Sequence, residues 1–107
     1  CSQWDVVTVP FPFTYKADAK RRPALVLSNT AFNRSGHTVL AMITTKGHLP
    51  WPGDSDIEEY TEAGLNLQCQ VRLKIFTLDN RLLLKKIGCL AESDSKKVKK
   101  HLHHYFS

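Results

Sequence analysis

Apolar positions along the chain fall in short blocks, most of them too short for a helix and rich in β-branched residues. Asp5 to Val9 (DVVTV) reads as a strand. Pro10 and Pro12 follow and each removes a backbone donor, so PFPF predicts a strand end or an edge, with Phe11 and Phe13 packed around the corner. Thr14 to Arg21 is polar and reads as a flexible connection. Pro23 to Ser28 (PALVLS) predicts a second strand that Arg22 opens, with Pro23 tolerated at its first residue. Asn33 to His37 (NRSGH) carries turn chemistry, and His37 to Thr45 (HTVLAMITT) is a third strand. That strand is apolar almost throughout and should be buried on both faces at its centre. KGHLPWPGD is a loop rich in Gly and Pro. Gln70 to Ile75 (QVRLKI) alternates apolar with polar or basic residues, the period of a strand with one face turned to a charged surface. Ile87 to Leu90 is a further short strand.

The end of the chain differs in kind. Ser93 suits a helix N-cap, and Asp94 in the first turn suits the positive end of the helix dipole. Val98, Leu102, Tyr105 and Phe106 then form one apolar stripe, with Lys96, Lys97, Lys99 and Lys100 mostly off it. Short strands followed by one helix, in a chain of 107 residues, predict a single domain spanning residues 1–107. Its class is mainly β (α+β), a small antiparallel barrel with the C-terminal helix packed on it.

Charge changes the picture more by its distribution than by its sum. Asp54, Asp56, Glu58, Glu59 and Glu62 lie in one stretch without a base. Set aside, they leave the rest of the chain five charges more positive than the +5 of the whole. Such a surface favours polyanions, nucleic acid first, with plain solubility as the alternative. No apolar run is long enough to span a membrane, and no charged-then-apolar leader points to secretion. Truncation or processing is the expected explanation of the opening Cys1, with a lipidated N-terminal Cys as the alternative. The three thiols, odd in number and without a CxxC, suit a reducing compartment, with Cys69 and Cys89 buried and unreactive; the expected location is cytoplasmic.

His101 and His104 lie one turn apart beside His103, yet no carboxylate or Cys is placed to complete a metal site, so no metal is expected. Trp51, between Pro50 and Pro52, is expected to fold back over an apolar barrel end; stacking on a base is the alternative. The stronger constellation is Arg22, Thr44, Thr45 and Arg72, at or near the ends of strands that can converge on one rim. Two guanidiniums and two hydroxyls there make a donor-rich pocket for a phosphate; surface arginines and β-favouring threonines are the plainer alternative.

These residues also carry a resemblance. DVVTVPFPFT, RRPALVLSNTAFNR, VLAMITT, VRLKIFTLD and KIGCL, in that order and spacing, resemble the MazF/PemK family of toxin–antitoxin endoribonucleases from Asp5 to about Leu102. The resemblance implies an SH3-like β-barrel, usually homodimeric. It implies metal-independent cleavage of single-stranded RNA, with no cofactor. It also implies a cognate antitoxin with an acidic, largely disordered tail, and contact with DNA only through the toxin–antitoxin complex. Arg22 matches the arginine that stabilises the scissile phosphate and assists proton transfer. Thr44 matches the active-site threonine, Thr45 the neighbouring Ser/Thr that lines the site, and Arg72 the basic residue of the VVR strand in one branch of the family. Lys74, Lys20 and Arg21 extend the RNA-binding surface, although Arg21 also reads as a solvated neighbour of Arg22.

The chain departs from the family pattern at three places. Trp4 stands where members commonly carry Gly, the Thr14 to Arg21 segment lacks a Glu-Gln-Gly element, and Lys74 replaces an acid found in one branch. No general base is evident, leaving Asp18 or a bound water as the candidate. Two other functions stay open: a nucleic-acid-binding barrel without catalysis, and a module that takes only an acidic peptide.

Overall fold

The computed structural model describes residues 2–11, 20–47 and 49–106. Strand β1 (Asp5–Phe11) runs through Pro10, which pairs with Arg21 of strand β2 (Lys20–Val26). A proline is tolerated there because the strand on the other side of β1 pairs with it only as far as Thr8, which leaves an edge beyond. Strand β2 begins earlier than expected, so Arg22 sits inside a paired strand rather than at its mouth. A one-turn helix, α1 (Thr30–Asn33), was not expected; the Asn29 side chain caps it by accepting from the Phe32 N–H at 3.0 Å. The expected turn at NRSGH follows, with Gly36 at φ 110°.

Strand β3 (His37–Thr45) has the expected bounds, and its consecutive Leu40 and Ala41 are fully buried. The Gly- and Pro-rich loop leads to a short strand, β4 (Ser55–Ile57), inside the acidic stretch that gave no strand signal. Strand β5 (Cys69–Asp79) extends well beyond the expected Gln70 to Ile75. Its alternation is broken by a bulge: Ala41 pairs with Ile75 but Met42 with Arg72, so Leu73 and Lys74 are extra residues. Cys69 to Arg72 are all buried in succession, and the charged outer face expected at Arg72 is absent. A 3-10 turn (Asn80–Leu82) leads to strand β6 (Lys85–Cys89) and helix α2 (Glu92–Phe106).

All strand neighbours are antiparallel, in the order β4-β5-β3-β2-β1-β6. The sheet curls into the half-barrel of the expected SH3-like fold, with the C-terminal helix packed on it. Side chains alternate across the sheet, so each face builds its own core. Val6, Leu25, Ala41, Ile43 and Val71 pack with Val98 of α2 on one face. Val7, Val9, Ala24, Val26 and Leu40 pack with Leu78 on the other, flanked by Leu82 and Leu83. This explains why β3 is apolar on successive residues.

The turn after β4 reaches across to β6 at the far edge of the sheet, where Cys89 N–H donates to the Glu62 carbonyl at 3.2 Å. Its approach leaves no room for side chains: a Cβ on Gly88 would overlap the Ala63 carbonyl, and one on Gly64 the Ile87 carbonyl. Helix α2 starts one residue before Ser93, and Asp94 does more than face the dipole. It is buried and accepts from the backbone N–H groups of Glu58 and Glu59 at 3.1 and 3.0 Å, joining the helix to the end of β4. The apolar stripe holds at Val98 and partly at Leu102, whereas Tyr105 and Phe106 are exposed. Phe11, expected to pack at a corner, is 43% exposed, and Phe13 lies outside the described residues. No described helix is long and apolar enough to cross a membrane.

Candidate functional site

The ladder between β2 and β3 stops at the pair Ala24 and Met42. The next residue of β2 is Pro23, which has no N–H to extend it, so the strands part. Between them opens a pocket of about 250 Å³, lined by Arg22, Pro23, Ile43, Thr44, Thr45, Cys69 and Arg72. The four residues singled out from the sequence thus meet in one place.

Arg22 is exposed, with its guanidinium carbon 5.5 Å from the centroid of the Phe11 ring. Phe11 stands opposite Lys20 in the β1–β2 ladder, so Arg22 is its diagonal neighbour on the same face. The cation–π contact holds the arm beside the pocket. Lys20 shares that face, and Arg21 points to the other; neither is among the described lining residues.

Thr44 Oγ1 is fully buried and has no hydrogen-bond partner among the described residues. Leaving such a group unsatisfied costs about 1–3 kcal/mol, and a ligand oxygen in the pocket would satisfy it. Thr45, the exposed last residue of β3, lines the same space.

Arg72 lies between the pocket and the core, 8% exposed. Its Nε and Nη2 donate to the two carboxylate oxygens of Asp54 at 3.1 and 3.0 Å, and Nη2 also donates to the Leu49 carbonyl at 2.7 Å. Its charge is therefore met by Asp54, and the guanidinium pins the 49–54 loop to the pocket wall. Asp54 is the residue that sequence reasoning missed; eighteen positions away and inside an acidic run, it carried no signal that it would turn inward.

Cys69 closes the pocket, donating from Sγ to the Leu67 carbonyl at 3.3 Å. Burial pushes its thiol pKa up, which keeps it protonated and unreactive. Cys89 differs from expectation: it is exposed on the edge strand β6.

Lys74 stands apart from the pocket because the bulge carries it outward. Its Nζ lies 4.7 Å from the centroid of Trp51, which is 40% exposed instead of folded over a barrel end. Asp18 lies outside the described residues. His101 Nδ1 is 2.6 Å from Ser55 Oγ, and among the described residues no three His, Cys, Asp or Glu side chains gather to hold a metal ion. The pocket thus offers one exposed guanidinium fork and two hydroxyls around a space suited to a tetrahedral anion. Among the described residues its lining holds no carboxylate or imidazole.

Comparison with solved structures finds the same fold at low identity. The Mycobacterium tuberculosis toxin MazF-mt6 is 19% identical, with 95% of each chain covered and a TM-score of 0.75. A chain of a MazE–MazF crystal structure from Deinococcus radiodurans is 21% identical over 97% of this chain and 94% of that one, with a TM-score of 0.76. An endoribonuclease solved with its cognate antitoxin from a Mycobacterial species is 20% identical over 97% and 92%, with a TM-score of 0.73. Comparison with curated proteins returns no match. Residues 2–106 match the family described as "PemK-like, MazF-like toxin of type II toxin-antitoxin system". With that match over nearly its whole length, the chain belongs to the MazF-like toxin family of type II toxin–antitoxin systems.

Proposed function

We propose that this protein is a toxin that cleaves single-stranded RNA at the Arg22–Thr44 pocket without a metal. The observation that carries this reading is the meeting of an exposed guanidinium with a buried hydroxyl, unpartnered among the described residues, in one anion-sized pocket. RNA supplies its own nucleophile. The 2′-oxygen forms a bond to phosphorus as the P–O5′ bond breaks, giving a 2′,3′-cyclic phosphate and a 5′-hydroxyl end. The protein must orient the phosphate and stabilise the charge that builds on its oxygens. Arg22 and Thr44 donate to those oxygens, Thr45 lines the phosphate's position, and Arg72, held by Asp54, shapes the wall. Lys20, Arg21 and Lys74 add cationic sites for flanking phosphates.

One proton must leave the 2′-hydroxyl and one must reach the 5′-oxygen. Asp18, the acid nearest Arg22 in sequence, is the candidate base, with a bound water as the alternative. Arg22 assists the transfer to the leaving oxygen. The protein acts in the cytoplasm as a homodimer, and a cognate antitoxin with an acidic tail occupies its basic groove; a Mycobacterial endoribonuclease of the same fold is solved in complex with its cognate antitoxin. DNA is reached only through that complex.

Arg22→Ala tests the assignment. Loss of one preorganised donor costs ~3–4 kcal/mol of transition-state stabilisation, so cleavage should fall by two to three orders of magnitude. Arg22 is exposed, so the circular dichroism spectrum and unfolding midpoint should stay at wild-type values. A folded Arg22→Ala protein that cleaves at the wild-type rate would remove Arg22 from the reaction. The absence of a carboxylate or imidazole from the described lining favours a second reading, a binding barrel without catalysis. It predicts salt-sensitive binding of single strands with no new RNA ends.

A further inference from the structure

Beyond Asp94 helix α2 has no acid, and from Lys96 to His103 its outward face is cationic. Lys96, Lys99, Lys100 and His103 are spaced to share that face, opposite the buried Val98, and all four are exposed. Lys96 pairs with Glu92 at 3.5 Å, in solvent, where such a pair contributes little. The side chains of Lys99, Lys100 and His103 make no hydrogen bond or ion pair among the described residues. The helix dipole favours His103, in the last turn, but the three lysines lie before that turn and gain little from it. The contacts of α2 with β4 fix where the face leads. His101 Nδ1 is 2.6 Å from Ser55 Oγ, Lys97 Nζ donates to the Asp56 carbonyl at 2.8 Å, and Asp94 accepts from Glu58 and Glu59. The helix therefore runs antiparallel to β4, with its C-terminal end beside Ser55, which pairs with Val71 next to Arg72 of the pocket wall. At that end Tyr105 abuts the pinned 49–54 loop: a Cβ on Gly53 would lie 3.4 Å from its ring. The cationic face starts near the outer wall of the pocket and runs away from it for about 10 Å.

We infer that the outward face of α2 is a second, sequence-independent contact for RNA, taking backbone phosphates of the strand beyond the one held at Arg22 and Thr44. The inference rests on the RNA reading above and goes beyond it by adding a surface on an element that supplies none of the described pocket lining. Two observations favour a phosphate backbone over other anionic partners. A protein interface centres on apolar and aromatic side chains and is poor in lysine, whereas Lys96, Lys99, Lys100 and His103 have no apolar residue among them on their face. A helix that lies on a membrane inserts its apolar side, whereas Val98 of α2 is buried in the core against the sheet. Lys96 and Lys100 stand about 6 Å apart along the axis, so they reach separate phosphates rather than crowd one. Each phosphate so neutralised releases counterions, which adds affinity without reading a base.

Binding of 2′-O-methyl oligouridylate, whose blocked 2′-oxygen cannot attack, reads the face apart from catalysis. The variant Lys96→Gln/Lys99→Gln/Lys100→Gln is compared with wild type on a tetranucleotide, which reaches the pocket alone, and on an oligomer of about 20 nucleotides, which covers both. The variant should bind the long oligomer about tenfold more weakly. Its slope of log affinity on log salt should become shallower by about 2, as for the loss of three single-strand phosphate contacts. Tetranucleotide affinity should stay at the wild-type value, and Lys96→Arg/Lys99→Arg/Lys100→Arg should bind both oligomers as the wild type does. Lys99→Gln alone should make the slope shallower by about 0.7, which keeps the test open if the triple variant does not fold. An unchanged affinity and slope on the long oligomer overturns the inference, as does an equal loss on both oligomers, which net charge alone would produce. Lost binding to poly-glutamate or to phosphatidylserine vesicles, without loss on the long oligomer, overturns it in favour of a protein or a membrane. Arg22→Ala separates the two readings, because it should weaken the tetranucleotide while the lysine variant does not. A tetranucleotide insensitive to Arg22 contradicts the pocket reading; a long oligomer insensitive to the lysines contradicts this one.

Discussion

Thr44 keeps a hydroxyl where a methyl group would sit more comfortably. A buried Oγ1 with no described partner destabilises the free protein, which makes sense if a ligand oxygen completes it. The two roles separate on substitution. Thr44→Val should leave the denaturant midpoint unchanged or raise stability by up to ~1 kcal/mol, because an unsatisfied polar group is replaced by an apolar one of similar shape. RNA cleavage should nonetheless fall by about a hundredfold, as for the loss of one transition-state donor. Parallel loss of stability and activity would make Thr44 a packing residue. Trp4 shows a different conflict. Its φ of 74° lies in the left-handed region that suits Gly, the residue common at this place in the family, while its ring packs against the larger core. Here the departure from the family pattern was visible in the sequence, and the backbone supplies its physical meaning.

At the scale of elements, the site depends on two interruptions of regular pairing. Pro23 ends the β2–β3 ladder and opens the pocket, and the bulge in β5 turns Arg72 inward and Lys74 outward. The buried Arg72–Asp54 pair then fixes the loop that carries Trp51. Asp54→Asn should leave a buried guanidinium without its counter-charge and lower stability by about 3 kcal/mol, read as a shift of the urea midpoint. It should also free the loop, seen as faster amide exchange over residues 49–54. A variant with unchanged midpoint and exchange would show that the pair contributes little.

These interruptions also mark what the sequence could disclose. β3 was legible to the residue because a long apolar run between turn signals has one reading. Arg22, Thr44 and Thr45 were legible as a group because the pattern put each at or next to a strand end, although β2 in fact begins two residues before Arg22. β4 was not, since three residues within an acidic stretch carry no periodicity and form a strand only because β5 offers an edge. Arg72 was read as facing outward because alternation was extrapolated through a bulge that depends on the partner strand. Asp54 looked like a member of an acidic run and Asp94 like a first-turn acid facing the helix dipole, whereas each is turned inward by partners distant in sequence. Trp51 was expected to cover apolar surface, and the unforeseen position of Lys74 explains its different setting.

For the whole molecule, fold and charge point the same way. The chain carries +5 overall, with five of its ten acids gathered in the segment that forms β4 and the turn crossing to β6. The basic remainder includes the rim of the pocket, so a polyanion is steered toward the face where Arg22 and Thr44 lie. An antitoxin tail rich in acids would compete for that face by the same attraction.

The central claim is that this face aligns an RNA phosphate for attack by the neighbouring 2′-hydroxyl. The most direct measurement incubates the protein in EDTA with a single-stranded RNA and maps the ends. A second RNA carrying one 2′-deoxynucleotide at the mapped cut is then tested. The predicted result is cleavage to 2′,3′-cyclic phosphate and 5′-hydroxyl ends in the first RNA, and none at the substituted position in the second. Cleavage at the deoxy position, or an RNA left intact by folded protein, would contradict it.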